Sequence, residues 1–416
     1  MTPPKGPEDM TQPDEVAAEL RSWPERCRRV VFVCHRIPEL SGGAVSTETL
    51  SLALQEAGLD VEHVSVKPGT RTPKIPTTTV FEREDLHFRP LVRGEGHSIP
   101  ARAAGAARWP LKRWDRHRVA RRAAAYFDAL GPETVVVVTH AAASLALDGL
   151  GISLRGRQFP VIGQHHAQYE SLDVEPNLRE MVEGQFGEGL DAFTALSAGD
   201  AELFAHIIDA PSWAVGNPIR PTDRTSAHDR PEAVALGRYV DEKLFDLMIR
   251  VFAQVTEAPD LAHWKLRIYG DGPERTALER QIRESNVGHR VVLEGPTEDV
   301  EAAYETARVN LVTCRDEGFG MTIIEAGRAG VPTVAFDCSP GVRGLLPEGA
   351  GVLVSPMTED RFAQALADSL RRPEQLREMG HQAQSVASQF FPENLVRQWG
   401  EIVTGAYEAM DRRRRP

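Results

Sequence analysis

The chain has 416 residues and a formal net charge of −12 at neutral pH. This length allows about two to three domains with full hydrophobic cores. The acidic balance argues against nucleic acid as the main partner, because duplex binding draws on clustered Lys and Arg. No apolar run approaches the length of a membrane-spanning helix, so we expect a soluble globular protein.

The first 24 residues are rich in Pro, Thr and acidic side chains and lack the basic start and apolar centre of a signal peptide. They are predicted to form a disordered tail. The cysteines are widely spaced and form no CxxC pair, so the sequence predicts neither a disulfide framework nor a zinc site. They are Cys27, Cys34, Cys314 and Cys338. This usage favours a cytoplasmic location.

Short β-branched runs alternate with longer helical patterns, which is typical of parallel βαβ units and predicts an α/β fold. The strands predicted in the first half are Arg29 to Cys34, Val61 to Val66, Thr134 to Thr139, Pro160 to Gln164 and Ala192 to Leu196. Between Lys67 and Ala107 the pattern dissolves into Pro, Thr and Arg, and we expect irregular loops or a flexible insertion there.

One basic segment breaks the acidic trend. Six Lys and Arg side chains lie between Arg102 and Arg122, on a predicted helix with two interleaved tryptophans. Two interpretations are open: a solvated helix face, or a patch facing anionic lipid or a phosphate-bearing acceptor. The second would place the protein peripherally at the inner face of the membrane.

The second half has the pattern of a complete doubly wound sheet. Its predicted strands are Ala233 to Gly237, Lys265 to Tyr269, Arg290 to Glu294, Val309 to Thr313, Val331 to Phe336 and Gly351 to Val354. A proline-rich linker, Gly216 to Pro231, separates the halves. We therefore predict domains at residues 25–216 and 217–391, with a last helix at 392–410 packing back on the first domain.

Open parallel sheets bind ligands beyond the carboxyl ends of their strands. After the first strand, Gly42 and Gly43 would let backbone amides approach a phosphate at a helix N-terminus. A tight strand-to-helix turn is the alternative, since no GxGxxG is present.

A guanidinium and an ammonium follow the first strand of the second half. Arg238 ends that strand, and Lys243 is predicted in the first turn of the next helix. A helix N-terminus repels cations, so Lys243 there indicates a bound anion, which Arg238 can grip bidentately. A surface ion pair with Asp241 or Glu242 is the alternative.

The segment Glu317 to Glu325 gives the strongest signal. Gly318 and Gly320 free the backbone to wrap a ligand, and the helix that follows offers unpaired N–H donors to a phosphate. Glu317 in the loop and Glu325 in the helix can face one crevice. A glycosidase acid and nucleophile pair is the competing chemistry.

Several motifs in order resemble glycosyltransferase family 4. They are Arg238 with Lys243, Leu266 to Pro273, Arg290 to Gly295, the Glu-x7-Glu segment Glu317 to Glu325 and Ala329 to Ala335. The resemblance covers nearly all of residues 232–370. It implies the GT-B fold, two Rossmann-like domains facing across a cleft. It also implies a nucleotide-sugar donor held mainly by the second domain, an acceptor held mainly by the first, and no metal or other cofactor.

The resemblance also assigns roles. Glu317 would hold hydroxyls of the donor sugar, Glu325 the ribose, and Gly43 the diphosphate from the opposite domain. The backbone of Gly318, Phe319, Gly320, Met321 and Thr322 would hold the sugar and phosphates. Transfer would retain the anomeric configuration by front-face attack, with the leaving phosphate accepting the acceptor proton. Arg238 and Lys243 would neutralise that phosphate.

The family carries a histidine lining the reaction centre, and His165 or His166 matches it. We favour His166, which lies further beyond the strand end, and His140 is a further candidate. Plain surface or core histidines are the alternative.

After the strand ending at Phe336, Asp337 to Gly341 and Arg343 depart from the commonest family pattern, in which a glutamate follows this glycine. They look closer to members that build bacterial cell-surface glycans. We therefore expect a hexose or N-acetylhexosamine, carried on UDP in preference to GDP, to pass to a glycan, polymer, lipid-linked or small-molecule acceptor. Natural-product glycosylation, a nucleotide-sugar epimerase or phosphorylase, and a non-catalytic binding protein are the alternatives.

Overall fold

The computed structural model describes residues 23–39, 41–82, 109–175 and 177–415, with side chains from residue 116 onward in the third range. The predicted tail lies outside these ranges except for its last two residues. One of them, Trp23, is buried, and its indole Nε1 donates to the carbonyl oxygen of Val396 at 2.8 Å. Trp23 therefore belongs to the folded domain rather than to a tail.

The first domain is built on a seven-stranded parallel sheet of order β3-β2-β1-β4-β5-β6-β7. Its strands are β1 Arg29–Arg36, β2 Asp60–Lys67, β3 Thr77–Thr79, β4 Thr134–Val138, β5 Val161–Gln164, β6 Ala192–Ala195 and β7 Ser212–Ala214. Helices cover both faces, so central strands such as β4 read as continuous buried Val runs.

The helices of this domain are α1 Gly42–Glu56, α2 Trp109–Asp128, α3 Ala141–Asp148, α4 Ser171–Val174, α5 Leu178–Phe186 and α6 Ala198–Phe204. The prediction of only irregular loops after Lys67 is wrong at β3, which pairs with β2. The prediction also missed β7. Both are three-residue edge strands, too short to show a period of two.

Helix α2 carries the described part of the basic segment, and residues 102–108 lie outside the described ranges. Its arginines include two that hold the helix on its own domain. Arg122 donates to the carbonyl oxygen of Thr79 at 2.9 Å and pairs with Glu82, and Arg116 donates to the carbonyl oxygen of Gly149. These two guanidinium groups therefore serve the fold.

The second domain has a six-stranded parallel sheet of order β10-β9-β8-β11-β12-β13. Its strands are β8 Glu232–Leu236, β9 Lys265–Tyr269, β10 Val291–Gly295, β11 Val309–Val312, β12 Thr333–Phe336 and β13 Gly351–Val354. Its helices are α7 Phe245–Val255, α8 Arg275–Glu284, α9 Val300–Tyr304, α10 Met321–Arg328, α11 Pro340–Leu345, α12 Glu359–Leu370 and α13 Pro373–Ser388. The order is the doubly wound one, with its switch point between β8 and β11.

The last helix, α14 Pro392–Arg414, packs on the first domain although it follows the second in sequence. Its Trp399 is buried, with its ring 6.4 Å from that of Phe32 in β1. The chain therefore passes between the domains twice, which ties them together on one side and leaves the carboxyl ends of the two sheets facing each other.

Candidate active site in the interdomain cleft

The two domains touch where loops follow β5 and β11. A Cβ atom added to Gly318 would lie 3.1 Å from the carbonyl oxygen of His166 and 3.2 Å from the Cα of Ala167. Beside this contact, Nε2 of Gln168 donates to Oδ1 of Asp316 at 2.7 Å. The segment after β5 in one domain therefore lies directly on the predicted donor-binding turn of the other.

The glycine pair after β1 begins α1, where Ser41 caps the helix by accepting from the N–H of Ala44. The two glycines differ in their surroundings. A Cβ on Gly42 would meet nothing within 4 Å, whereas one on Gly43 would lie 3.3 Å from Cγ of His166. Gly43 and His166 are therefore neighbours on the first-domain face of the cleft, which brings together two predicted site residues.

The adjacent histidines point in different directions. His165 is 3% exposed, and its ring packs edge-on against Phe204 at 5.2 Å. The His166 ring lies against Gly43 instead, at the cleft. The structure thus places His165 in the core of the first domain and His166 at the predicted reaction centre.

The His166 ring has both nitrogens buried without a hydrogen bond of normal geometry from any described residue, although Asn217 lies beside it. Burial lowers the pKa of His166 to about 4. The ring is therefore neutral at pH 7, and one nitrogen can donate while the other accepts. A ligand hydroxyl would satisfy it.

His140 lies just after β4, as expected, and one of its ring nitrogens has a structural role. Its Nδ1 accepts from the N–H of Ala142 at 3.0 Å and so caps α3.

In the second domain, Arg238 follows β8 with an exposed side chain that pairs with no described residue. Lys243 does not lie in the first turn of an α-helix, as the sequence predicted. It ends a single 3₁₀ turn, Asp241–Lys243, and Leu244, in the left-handed conformation, then caps α7. Lys243 therefore does not lie at the N-terminus of an α-helix, and its position does not by itself indicate a bound anion.

Lys243 instead lies beside the other predicted charge of the cleft. Its Nζ donates to Oε2 of Glu317 at 2.6 Å, and both side chains are about one quarter exposed or less. Burial lowers the pKa of Lys243, but the carboxylate of Glu317 more than offsets this, so the net shift is upward. The alternative of a surface pair with Asp241 or Glu242 is wrong, because Asp241 pairs with Arg315.

Glu317 organises the turn that follows it. Its second oxygen, Oε1, accepts from the N–H of Gly320 at 3.2 Å. Gly320 has φ +97°, a conformation that favours glycine, and it opens α10. With one oxygen on Lys243 and the other on the turn, Glu317 holds a fixed orientation from which its remaining lone pairs can accept sugar hydroxyls.

The start of α10 offers backbone donors. The N–H groups of Met321 and Thr322 donate to no other described group, so they are free for a phosphate or sugar oxygen. Phe319 contributes only backbone, since its side chain is 4% exposed and packs on Phe390 at 5.2 Å. The aromatic ring thus anchors the turn from beneath.

Glu325 lies one turn into α10 and has a different environment from Glu317. No described cation forms an ion pair with it. Burial raises its pKa to about 7, with Arg328 opposing the shift. An unpaired, half-buried carboxylate of this kind is suited to accept ligand hydroxyl groups. The structure places it on the same helix as the Met321 and Thr322 donors.

Two further contacts of the site were not predicted from the sequence. Gln168 and Asp316 form the interdomain hydrogen bond, and they are 148 positions apart. Gly341 would carry a Cβ only 2.5 Å from the carbonyl oxygen of Gly318, so α11 packs its backbone on the donor turn. In the sequence, only their positions shortly after β5 and β11 mark Gln168 and Asp316 as candidate site residues.

The four cysteines are free in the described ranges. Two of them nevertheless meet, because β11 and β12 are neighbours. The Sγ atoms of Cys314 and Cys338 lie 3.4 Å apart, beside Lys243 and Glu317. The described residues contain no cluster of three or more His, Cys, Asp or Glu arranged to hold a metal ion.

Most of the second domain is similar to a known protein family. Residues 220–386 match the family described as Glycosyl transferases group 1. The matched region contains every charged site residue discussed above, from Arg238 to Glu325. The match supports the glycosyltransferase part of the resemblance, at a coarser level than family 4.

Two curated relatives each match about half of the chain or less. An exopolysaccharide phosphotransferase of Streptomyces coelicolor is 32% identical over 180 residues, which is 43% of this chain and 19% of the relative. A poly(glycerol-phosphate) alpha-glucosyltransferase of Bacillus subtilis is 24% identical over 216 residues, 51% of this chain and 31% of the relative. The chain thus spans less than a third of the length of each.

A solved structure shows the fold. The Anabaena HepE protein in complex with UDP superposes with a TM-score of 0.68 at 15% identity, over 89% of this chain and 98% of the other. The GT-B fold predicted from the sequence is therefore confirmed. Among the described residues, no helix combines the length and apolar character needed to span a bilayer.

Proposed function

We propose that the protein is a retaining, metal-independent glycosyltransferase that moves a hexose or N-acetylhexosamine from a nucleotide diphosphate sugar to an acceptor hydroxyl. One observation carries the proposal. Lys243, Glu317 and the free N–H groups at the start of α10 come together with Gly43 and His166 at the interface of the two domains. A cation and amides for a diphosphate lie beside acceptors for a sugar, which is the composition of a nucleotide sugar.

Each group has a role in this proposal. The leaving diphosphate lies against Arg238, Lys243 and the α10 N-terminus, whose positive charges stabilise it as the glycosidic bond breaks. Glu317 accepts hydrogen bonds from the donor sugar, and Glu325 from the ribose. The neutral His166 lines the reaction centre, and the leaving phosphate takes the proton of the acceptor hydroxyl.

UDP is the donor nucleotide we propose, because the superposed HepE structure holds UDP. The acceptor we propose is a cell-surface glycan or polymer, since the two curated relatives are described by an exopolysaccharide and by poly(glycerol-phosphate). We place the reaction in the cytoplasm, which the free cysteines support. Contact with the membrane through residues 102–122 is testable by sedimentation with anionic vesicles.

The test is a thermal-shift panel of UDP-glucose, UDP-galactose, UDP-N-acetylglucosamine and GDP-mannose, each with and without EDTA. A ligand that binds only the folded state at about 100 times its Kd adds about 2.7 kcal/mol of stability. We expect a UDP-sugar to give the largest shift and EDTA to leave it unchanged. A shift lost with EDTA would overturn metal independence, and no shift with any of the four would overturn the donor assignment.

Transfer is then measured with the best donor, with Glu317→Gln as the variant expected to lose it. The anomeric proton coupling of the product reports retention or inversion. Incubation of the donor with the protein alone separates the alternative classes, because an epimerase interconverts the free donor and a phosphorylase requires phosphate.

A further inference from the structure

Two residues after β5, His166 and Gln168, carry buried polar atoms that lack hydrogen-bond partners. Both ring nitrogens of His166 and Oε1 of Gln168 have no hydrogen bond of normal geometry from the described residues. Gln168 is only 5% exposed. Buried polar atoms are nearly always paired, and leaving one unpaired is costly. A cluster of them at the meeting point of two domains therefore indicates a ligand.

The orientation of the Gln168 amide follows from its partner. A carboxylate oxygen of Asp316 lies 2.7 Å from Nε2, and a carboxylate only accepts hydrogen bonds. The amide NH₂ must therefore face Asp316, so the amide oxygen takes the opposite position. Asp316 of the second domain thus determines that the amide oxygen of Gln168, in the first domain, is the end that remains available to a ligand.

Because Oε1 of Gln168 only accepts hydrogen bonds, it determines which ligand groups can bind beside it. Phosphate oxygens also accept hydrogen bonds, so Oε1 would repel the diphosphate. A hydroxyl group donates and would satisfy it. Oε1 belongs to the segment that touches both Gly43 and Gly318, the turns assigned to the donor.

We propose that Gln168 binds the donor sugar through a hydrogen bond from a sugar hydroxyl to Oε1, and that Asp316 is the positioning residue that orients this amide across the domain interface. This inference rests on the proposed function and extends it. It assigns a specificity-determining contact to the first domain and a role to the carboxylate next to Glu317.

The first test compares two ligands by calorimetry: UDP-glucose, or the tightest-binding sugar nucleotide of the panel above, and its nucleoside diphosphate alone. In Gln168→Ala we expect sugar-nucleotide affinity to fall by about tenfold and nucleoside diphosphate affinity to stay within about twofold. A purely structural role would lower both affinities together. Circular dichroism and Tm check that each variant is folded.

The second test exchanges the hydrogen-bond donor and acceptor between Gln168 and Asp316. Gln168→Glu sets two carboxylates against each other and should weaken donor binding most. Asp316→Asn keeps a partner but no longer dictates the amide orientation, so a smaller loss is expected. In the double variant Gln168→Glu/Asp316→Asn, the Asn amide donates to the Glu carboxylate, and affinity should recover toward wild type.

A matched control exists elsewhere in the chain. Gln364 donates to Asp368 at 2.8 Å on the exposed face of α12, the same kind of hydrogen bond away from the cleft. Gln364→Glu should leave donor affinity unchanged.

The outcomes separate the two proposals. If the wild-type protein binds no sugar nucleotide, the proposed function fails and this inference with it. If it binds one and Gln168→Ala binds equally well, only the inference is overturned. Equal loss for both ligands, an unrecovered double variant, or a change confined to acceptor KM would likewise overturn it.

Discussion

The two faces of the cleft differ in charge. The first-domain face offers Gly43, His166 and Gln168, which are neutral at pH 7 and largely buried. The second-domain face offers the Lys243–Glu317 pair. The difference indicates a division of labour, in which charges hold the ionic part of the donor and neutral groups line the point at which its sugar reacts. Substitutions on the charged face should therefore cost the most.

Removing the paired cation is expected to have the largest effect. Lys243→Met keeps the apolar stem but leaves Glu317 without its partner at 2.6 Å and removes a positive charge from the diphosphate. Losing one group that stabilises developing negative charge costs about 3 kcal/mol of transition-state stabilisation, which corresponds to about a hundredfold loss of kcat/KM. The assay is transfer at saturating acceptor. Lys265→Met, an exposed lysine at the start of β9, is the control.

A loss below about threefold, with donor affinity unchanged, would contradict the division of labour at its strongest point. The charged face would then serve stability alone.

The next prediction separates the adjacent histidines on the neutral face. His166→Ala should lower kcat by about ten- to a hundredfold with Tm unchanged, because its ring lies at the cleft and neither nitrogen makes a hydrogen bond of normal geometry with a described residue. His165→Ala should do the reverse. It removes a 3% exposed ring from the core beside Phe204, so unfolding free energy falls by about 2 kcal/mol while kcat per folded molecule is retained.

Interchanged results would mean that His165 serves the reaction. The neutral face would then lie deeper in the first domain than the structure places it.

The same contrast in charge explains which site residues could be predicted from the sequence. Charged residues and glycines just after predicted strands are conspicuous in a sequence, so Arg238, Glu317 and Gly43 could be predicted as site residues from their positions and from the family resemblance. Gln168 was not, because its significance is a contact with a carboxylate 148 residues away that only the docking of two domains creates.

Local conformation was the other source of error. Lys243 was expected in a helix because the helical pattern of α7 begins right after it, yet Leu244 adopts φ +51° and separates the two elements. The sheets were predicted well, since buried parallel strands read as continuous Val-rich runs. The short edge strands carry no such run.

The third prediction concerns Glu325, whose charge should lower the stability of the folded protein at pH 8. The pKa of Glu325 rises from 4.5 to about 7 on folding, so the folded chain holds a proton there that the unfolded chain has lost. Its contribution to the unfolding free energy is therefore full below pH 4.5 and is lost as pH rises through about 7. Because glutamine does not titrate, Glu325→Gln does not lose this stability as the pH rises.

Glu325→Gln should accordingly be more stable than wild type at pH 8, by about 1 to 3 kcal/mol in chemical denaturation, with the gap closing at acidic pH. Donor affinity should fall by about tenfold, since a charged acceptor becomes neutral. Glu348→Gln, in an exposed loop, is the control. A variant that is less stable at pH 8 would show that Glu325 is held charged by contacts within the protein.

The smallest effect is expected at the two glycines that begin α1. Gly42→Ala adds a methyl group into open space and restricts the unfolded chain, so it should be neutral or slightly stabilising. Gly43→Ala places the same methyl group 3.3 Å from Cγ of His166, and the ring must yield by a few tenths of an ångström. Because reaction rates are sensitive to such displacements, kcat/KM should fall by about three- to tenfold with Tm retained. The pair differs only in where one methyl group lies. Equal activity in both variants would show that the neutral face tolerates displacement and that the position of His166 does not limit transfer.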